Sequence, residues 1–359
     1  MTTQADISRD LAMTPQVDPD LRAVEAKPLW RRVFGHTATM VLLLDVILIT
    51  AFTVLSRDNV FWSLMSFQSL MLAGTQALLL AVAIALLLGG GMIDLSLGAN
   101  MVLSSVIGAI VVQSIAGPFN VAGEYDNLWF AISAGFFASV GTGMLFGLFN
   151  ALVISSFNLN SLIATLATMG IGTGLALVIT NGGDISGLPS AMQNSIGLNM
   201  IGGIVPLPAL LAVVIAVSAQ LVLRYTRFGL RILAMGSSKM AAERNGINTR
   251  RHILYIGLIA GGLAGLAGFV DLARFGATTV AGHSEAVLQA IAAVIIGGTL
   301  LEGGRVSILG AFFGTVLAVV LQSGLIIVGV APFYQLIAVG GVLLGAIIID
   351  RIRQPVSSR

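Results

Sequence analysis

Ten apolar stretches, nearly all long enough to cross a lipid bilayer, exclude a soluble fold for this chain. A membrane-spanning helix needs roughly 17–25 apolar residues. The sequence supplies such runs at 37–56, 67–90, 97–116, 128–154, 161–181, 201–223, 252–272, 285–300, 307–330 and 333–350. Within hydrocarbon every backbone polar group must be satisfied by the chain itself, so runs of this kind become helices. Charged residues make up 9% of the 359, against about 25% in soluble domains. Lipid is therefore the solvent for most of the surface. The expected fold is an all-α integral membrane protein of about ten transmembrane helices.

Orientation follows from the cations. Seven of the eighteen Lys and Arg fall between Arg224 and His252: Arg224, Arg227, Arg231, Lys239, Arg244, Arg250 and Arg251. Glu243 is the one carboxylate among them. Positive charge is retained on the cytoplasmic side. Ten spans put only Arg57 and Arg274 outside, and both termini inside. The expected organisation is a cytoplasmic tail at 1–36 and a membrane domain at 37–350 with its basic loop at 224–251. A second cytoplasmic tail follows at 351–359, carrying Arg351, Arg353 and Arg359. The first thirty residues lack the apolar core of a cleavable signal peptide.

Two places are irregular. The stretch 285–300 is short and runs into Gly297-Gly298-Thr299, and the second and third spans are joined by Gly89 to Gly98. Gly-interrupted apolar segments are where transporters break helices along a substrate path. The same residues also suit a tight hairpin in which Asp94 or Ser96 caps the next helix. Inside the basic loop, Ser238 is placed to N-cap a short helix from about Lys239 to Asn245, and Gly246 to end it.

Several chemistries are excluded. The chain has no Cys, so disulfides and thiolate metal sites are out of reach. His36, His252 and His283 sit at span edges without ligand spacing, and no metal site is expected. No nucleophile–base or paired-carboxylate arrangement suggests catalytic residues. No G-x-x-x-x-G-K-[ST] phosphate loop is present, so no ATP hydrolysis by this chain is expected. Aromatic and basic residues are not interleaved, which argues against nucleic acid as a partner.

Four segments, in order, carry a family resemblance: Ile93-Asp94-Leu95-Ser96-Leu97-Gly98; Ser161 to Leu166 with Thr180-Asn181-Gly182; Phe228-Gly229 through Gly236, Ala241-Ala242 and Gly246-Ile247; and Ala292 to Thr299 followed by Gly303-Gly304. With them the chain, from about 57 to 352, resembles the permease subunit of bacterial ATP-binding cassette (ABC) importers for monosaccharides, the ribose/xylose/galactoside branch. It departs from the usual pattern at Met92, Ser238, Arg244-Asn245, Glu302 and Val306.

The resemblance implies a multi-pass protein of the bacterial inner membrane that is not itself an enzyme. It implies a coupling helix that seats in a soluble ATPase, with Gly236, Ser238, Lys239, Ala241, Ala242, Arg244 and Gly246 forming that loop. The small Ala241 and Ala242 would let the helix sit close to its partner. The implied assembly has two ATPase subunits, a second permease copy or a paralogue, and a periplasmic sugar-binding protein. The chain would hold no cofactor, ATP-Mg being bound by the ATPase. Sugars need hydrogen-bond partners, and the path candidates are Asp94, Ser96, Gln76, Asn100, Asn181, Gln289 and Gln322, with Thr75, Asn150 and Thr168 as further intramembrane polar residues. Polar residues in lipid also serve simply as helix–helix partners. Asp45, within the first span, carries the same electrostatic cost without a motif. Asp271 and Glu285 are expected at the outer rim, there to meet the binding protein or to pair with Arg274. Alternatives are a permease of the same superfamily for an autoinducer-type sugar, nucleoside or branched-chain amino acid, a passive channel, and a membrane-embedded enzyme.

Overall fold

The computed structural model describes residues 37–117, 125–280 and 284–331, with scattered positions from 333 to 348. The expected tails and part of the expected last span lie outside the described residues. Among those described, eight helices are long and apolar enough to cross a membrane. They are α1 (Thr37–Leu55), α2 (Leu64–Gly89), α3 (Leu97–Ala116), α4 (Leu128–Phe157), α5 (Ser161–Thr180), α6 (Leu207–Tyr225), α9 (Thr249–Phe275) and α11 (Ile308–Ile327). Shorter helices include α7 (Arg227–Ser237), α8 (Lys239–Arg244) and α10 (Ser284–Ile296), with brief helical turns at Arg57–Trp62, Ser190–Met192 and Gln193–Gly197.

Two expected spans have different limits. The run 201–223 becomes helical only at Leu207, because β1 (Met200–Ile201) and β2 (Val205–Pro206) pair antiparallel across a Gly202-Gly203 turn. Both glycines have positive φ, and Pro208 sits in the first turn of α6, where its missing N–H costs nothing. The run 285–300 stops at Ile296. Gly297-Gly298 leave the helix, with Gly298 at φ 91°. At 13 residues, α10 covers about 20 Å, short of the roughly 30 Å hydrocarbon layer.

Burial separates a centre from a rim. In α2 and α3, 67% of the spanning window is buried, against 17% in α1 and 28% in α4, α5 and α6. Every residue from Leu78 to Leu88 is buried, as expected of a helix apolar on all sides. Ile47 and Val54 on α1 and Phe137 and Leu145 on α4 are exposed, apolar side chains of the kind a lipid-facing rim carries. The α4–α9 crossing is made by small residues. Gly143 and Gly147 face Gly257, Gly261 and Gly265 with backbones in contact. Ser139 Oγ donates to the Gly265 carbonyl at 2.9 Å and Asn100 Nδ2 to the Gly143 carbonyl at 3.2 Å. Close backbones and interhelical hydrogen bonds are what hold helices together where lipid removes the hydrophobic driving force.

Candidate functional site

The basic segment is more ordered than a solvated loop. After α6, Thr226 caps α7 by accepting from Gly229 N–H. Helix α7 is amphipathic: Gly229, Ile232 and Met235 are buried, while Arg227, Leu230 and Arg231 face out. Ser238 then N-caps α8, its Oγ accepting from Ala241 N–H at 3.3 Å. Gly246 at φ 78° turns the chain, and Ile247 N–H donates to the Ala242 carbonyl at 3.0 Å. Glu243 accepts from Thr249 Oγ1 at 2.6 Å, tying α8 to the start of α9. The structure divides the two alanines. Ala242 is buried in the main core cluster, whereas Lys239, Met240, Ala241 and Arg244 are exposed. Met240 is 65% exposed, an apolar side chain offered at the tip.

Residues 89–98 form a folded turn at the same membrane end. Ile93 N–H donates to Ser161 Oγ at 3.1 Å and Leu95 N–H to Thr165 Oγ1 at 3.2 Å, docking the turn on the start of α5. Asp94 is buried. Its Oδ1 accepts from Ser96 N–H (2.8 Å) and Ser96 Oγ (2.5 Å), and its Oδ2 from Asn150 Nδ2 (3.3 Å). Asn150 Nδ2 also donates to Ser96 Oγ at 2.7 Å. Burial pushes the Asp94 carboxyl above its ordinary 3.8, against the Ser96 and Asn150 bonds that pull it down. Asp94 and Ser96 thus pin the α2–α3 turn to α4.

Three of the polar path candidates converge elsewhere. Gln76 of α2, Gln289 of α10 and Gln322 of α11 line one cavity of about 250 Å³, together with Thr315, Arg274 and Phe275. The remaining wall is mostly alanine from these same three helices. Three neutral carboxamides over small apolar walls can offer donors and acceptors to an uncharged polar solute, with the Arg274 guanidinium as the charged group in the lining. Arg274 stands at the end of α9.

The other candidates lie apart from the cavity. Asn100 is engaged in the α4–α9 crossing. Asn181 is the left-handed C-cap of α5 at φ 53°. Thr75 and Thr168 bond to backbone carbonyls of their own helices. Asp271 is buried on α9, one turn before Arg274. Asp45 lies on the packed face of α1, both carboxyl oxygens buried without a hydrogen-bond partner among the described residues. No group of three or more His, Asp or Glu among the described residues could hold a metal. Sequence reasoning missed α7 and the exposed Met240. The Gly229, Ile232, Met235 spacing was the available signal for α7, masked by the three arginines around it.

Comparison with known proteins adds to this geometry. A family model described as a branched-chain amino acid transport system permease component matches residues 66–349. The chain is 36% identical over 270 residues to a ribose import permease protein of Bacillus subtilis, covering 74% of this chain and 78% of that one. It is 31% identical over 260 residues to a D-allose transport system permease protein of Escherichia coli (72% and 75% covered). It is 29% identical over 313 residues to a galactose/methyl galactoside import permease protein of Haemophilus influenzae (86% and 93% covered). No solved structure matches the chain.

Proposed function

The chain belongs to the family of branched-chain amino acid transport system permease components, and we propose that within it this protein is the membrane subunit of an ABC importer for a monosaccharide. It is a multi-pass protein of the inner membrane. The energy source is a separate ATPase. What carries the importer reading is α8, a six-residue helix capped at both ends, anchored by buried Ala242 and presenting Lys239, Met240, Ala241 and Arg244. That is a rigid, basic knob with an apolar tip, suited to a groove in a soluble ATPase subunit. The broad family description names another solute class. The sugar assignment is supported by the ribose, allose and galactose permeases to which the chain is similar.

The cavity of Gln76, Gln289 and Gln322 is the proposed translocation path. A second permease copy or a paralogue completes the membrane assembly, and a periplasmic binding protein delivers the sugar. The testing experiment reconstitutes the permease with its neighbouring ATPase and adds the binding protein loaded with pentoses, hexoses or polyols in turn. Stimulation of ATP hydrolysis by one loaded sugar is expected. Absence of both assembly and stimulation would make a passive channel the better account. Ala241→Glu, which leaves the inward Ala242 in place, should insert normally but lose the co-purifying ATPase.

A further inference from the structure

The segment that carries α8 is joined to the membrane helices backbone to backbone. At Gly236, near the end of α7, an added Cβ would lie 2.0 Å from the Gly89 carbonyl oxygen and 2.6 Å from the Gly304 nitrogen. Those two atoms are themselves bonded: Gly304 N–H donates to the Gly89 carbonyl at 3.2 Å. Gly303 closes the third side, where a Cβ would meet the Gly236 carbonyl oxygen at 2.8 Å and Gly91 Cα at 2.9 Å. A Cβ on Gly304 would meet Ser237 Oγ at 2.2 Å and Ser237 Cα at 2.9 Å. Three segments distant in sequence therefore meet through backbone atoms at Gly236, flanked by the side chains of Ser237 and Val306: the end of α2, the end of α7 and the turn between α10 and α11.

What these segments lead to gives the junction its meaning. Helix α2 ends at Gly89, α10 runs into the turn at Gly297, and α11 leaves it at Ile308. They are the same three helices that bring Gln76, Gln289 and Gln322 to the cavity. Gln76 lies about 20 Å along α2 from Gly89 at ~1.5 Å per residue. Side-chain contacts can absorb a small shift by changing rotamer, whereas close-packed backbones transmit it.

We propose that Gly236 is a positioning residue that carries displacement of α8 directly to the inner ends of the three cavity helices. Gly89–Gly91 and Gly303–Gly304 are the surfaces that receive it, and the junction moves as one block. Nucleotide-driven movement of α8 then alters the spacing of the three glutamines without any side-chain gate between the two sites. This inference rests on reading α8 as the seat of the ATPase.

Gly236→Ala is the direct perturbation. Its methyl must part Gly89 from Gly304 and break their hydrogen bond, while the outward face of α8 is untouched. Uptake is read per ATPase that co-purifies, so that lost seating is separated from lost transmission. Stimulation by sugar-loaded binding protein, and uptake, should fall at least about tenfold, the loss expected when coupling between two states is weakened. Uptake within about twofold of the parent would overturn the proposal.

The absence of native cysteine allows a second test that holds even if Gly236→Ala does not accumulate. Cysteines are placed at exposed Ser237 and Glu302, on either side of the junction, and bridged by a short thiol cross-linker. A junction that moves as one block predicts uptake in the bridged protein within about twofold of the unbridged. Loss of uptake on bridging would show that the loop slides on the turns, and the proposal fails. If the ATPase does not associate with the parent chain, it is the importer reading that fails, and the inference falls with it.

Discussion

Replacing Gly261 with Ala at the α4–α9 crossing offers the sharpest test of how this fold is held together. The added Cβ would sit 2.2 Å from the Gly143 carbonyl oxygen and 2.8 Å from Gly147 Cα. Both obstacles are backbone of a packed helix, so no rotamer change relieves them and the helices must separate by about 1 Å. Overpacking of this kind costs ~1–3 kcal/mol. Separation also stretches the Ser139–Gly265 hydrogen bond and the bridge that Asn100 Nδ2 makes between the Gly143 and Gly261 carbonyls, each worth ~0.6 kcal/mol between helices in lipid. The expected loss is about 2–4 kcal/mol, offset by at most ~1 kcal/mol from the better helix propensity of Ala. Gly174 on α5 is the matched control, since nothing lies within 4 Å of its added Cβ. The assay is loss of the monodisperse species on heating in detergent, with abundance in the membrane measured alongside. With that offset the net loss is about 1–4 kcal/mol, so Gly261→Ala should lower the apparent midpoint by ~2–8 °C, taking about 2 °C per kcal/mol. Gly174→Ala should leave the midpoint unchanged or raise it. Equal midpoints for the two variants would refute the argument that backbone contact at this crossing stabilises the fold.

Two further outcomes concern the polar groups. Gln289→Leu keeps side-chain bulk but removes one carboxamide from the cavity. Uptake should fall roughly tenfold for the loss of about one hydrogen bond to the moving solute, with ATPase co-purification unchanged; unaltered uptake would remove the cavity from the path. Asp94→Asn sets an amide donor against the Asn150 Nδ2 that now donates to Oδ2, weakening the pin by ~1–3 kcal/mol. Uptake should drop by a larger factor than membrane abundance, and equal losses in the two measurements would leave Asp94 with a structural role alone.

The apolar run lengths determined that the chain spans the membrane repeatedly. The helix start at Ser161 and the Ser238–Gly246 turn were legible too, because caps and glycine stops act over three or four residues; at Leu97 the start was read from the apolar run, and Ser96 makes no side-chain cap bond there. The break that ends α10 was marked by Gly297-Gly298-Thr299, whereas the hairpin that delays α6 was not read from the sequence. Only the tertiary structure decided which face of each helix turns inward. A helix that meets lipid on one side and protein on the other is apolar on both, so its sequence carries little record of its rotation. Hence Ala241 and Ala242, alike in sequence, part into an outward and an inward residue. Gln76, Gln289 and Gln322 converge while Asn100 and Asn181 do not. The contact of Gly236 with Gly89 and Gly304 depends on three chain segments meeting in space, which no local pattern encodes.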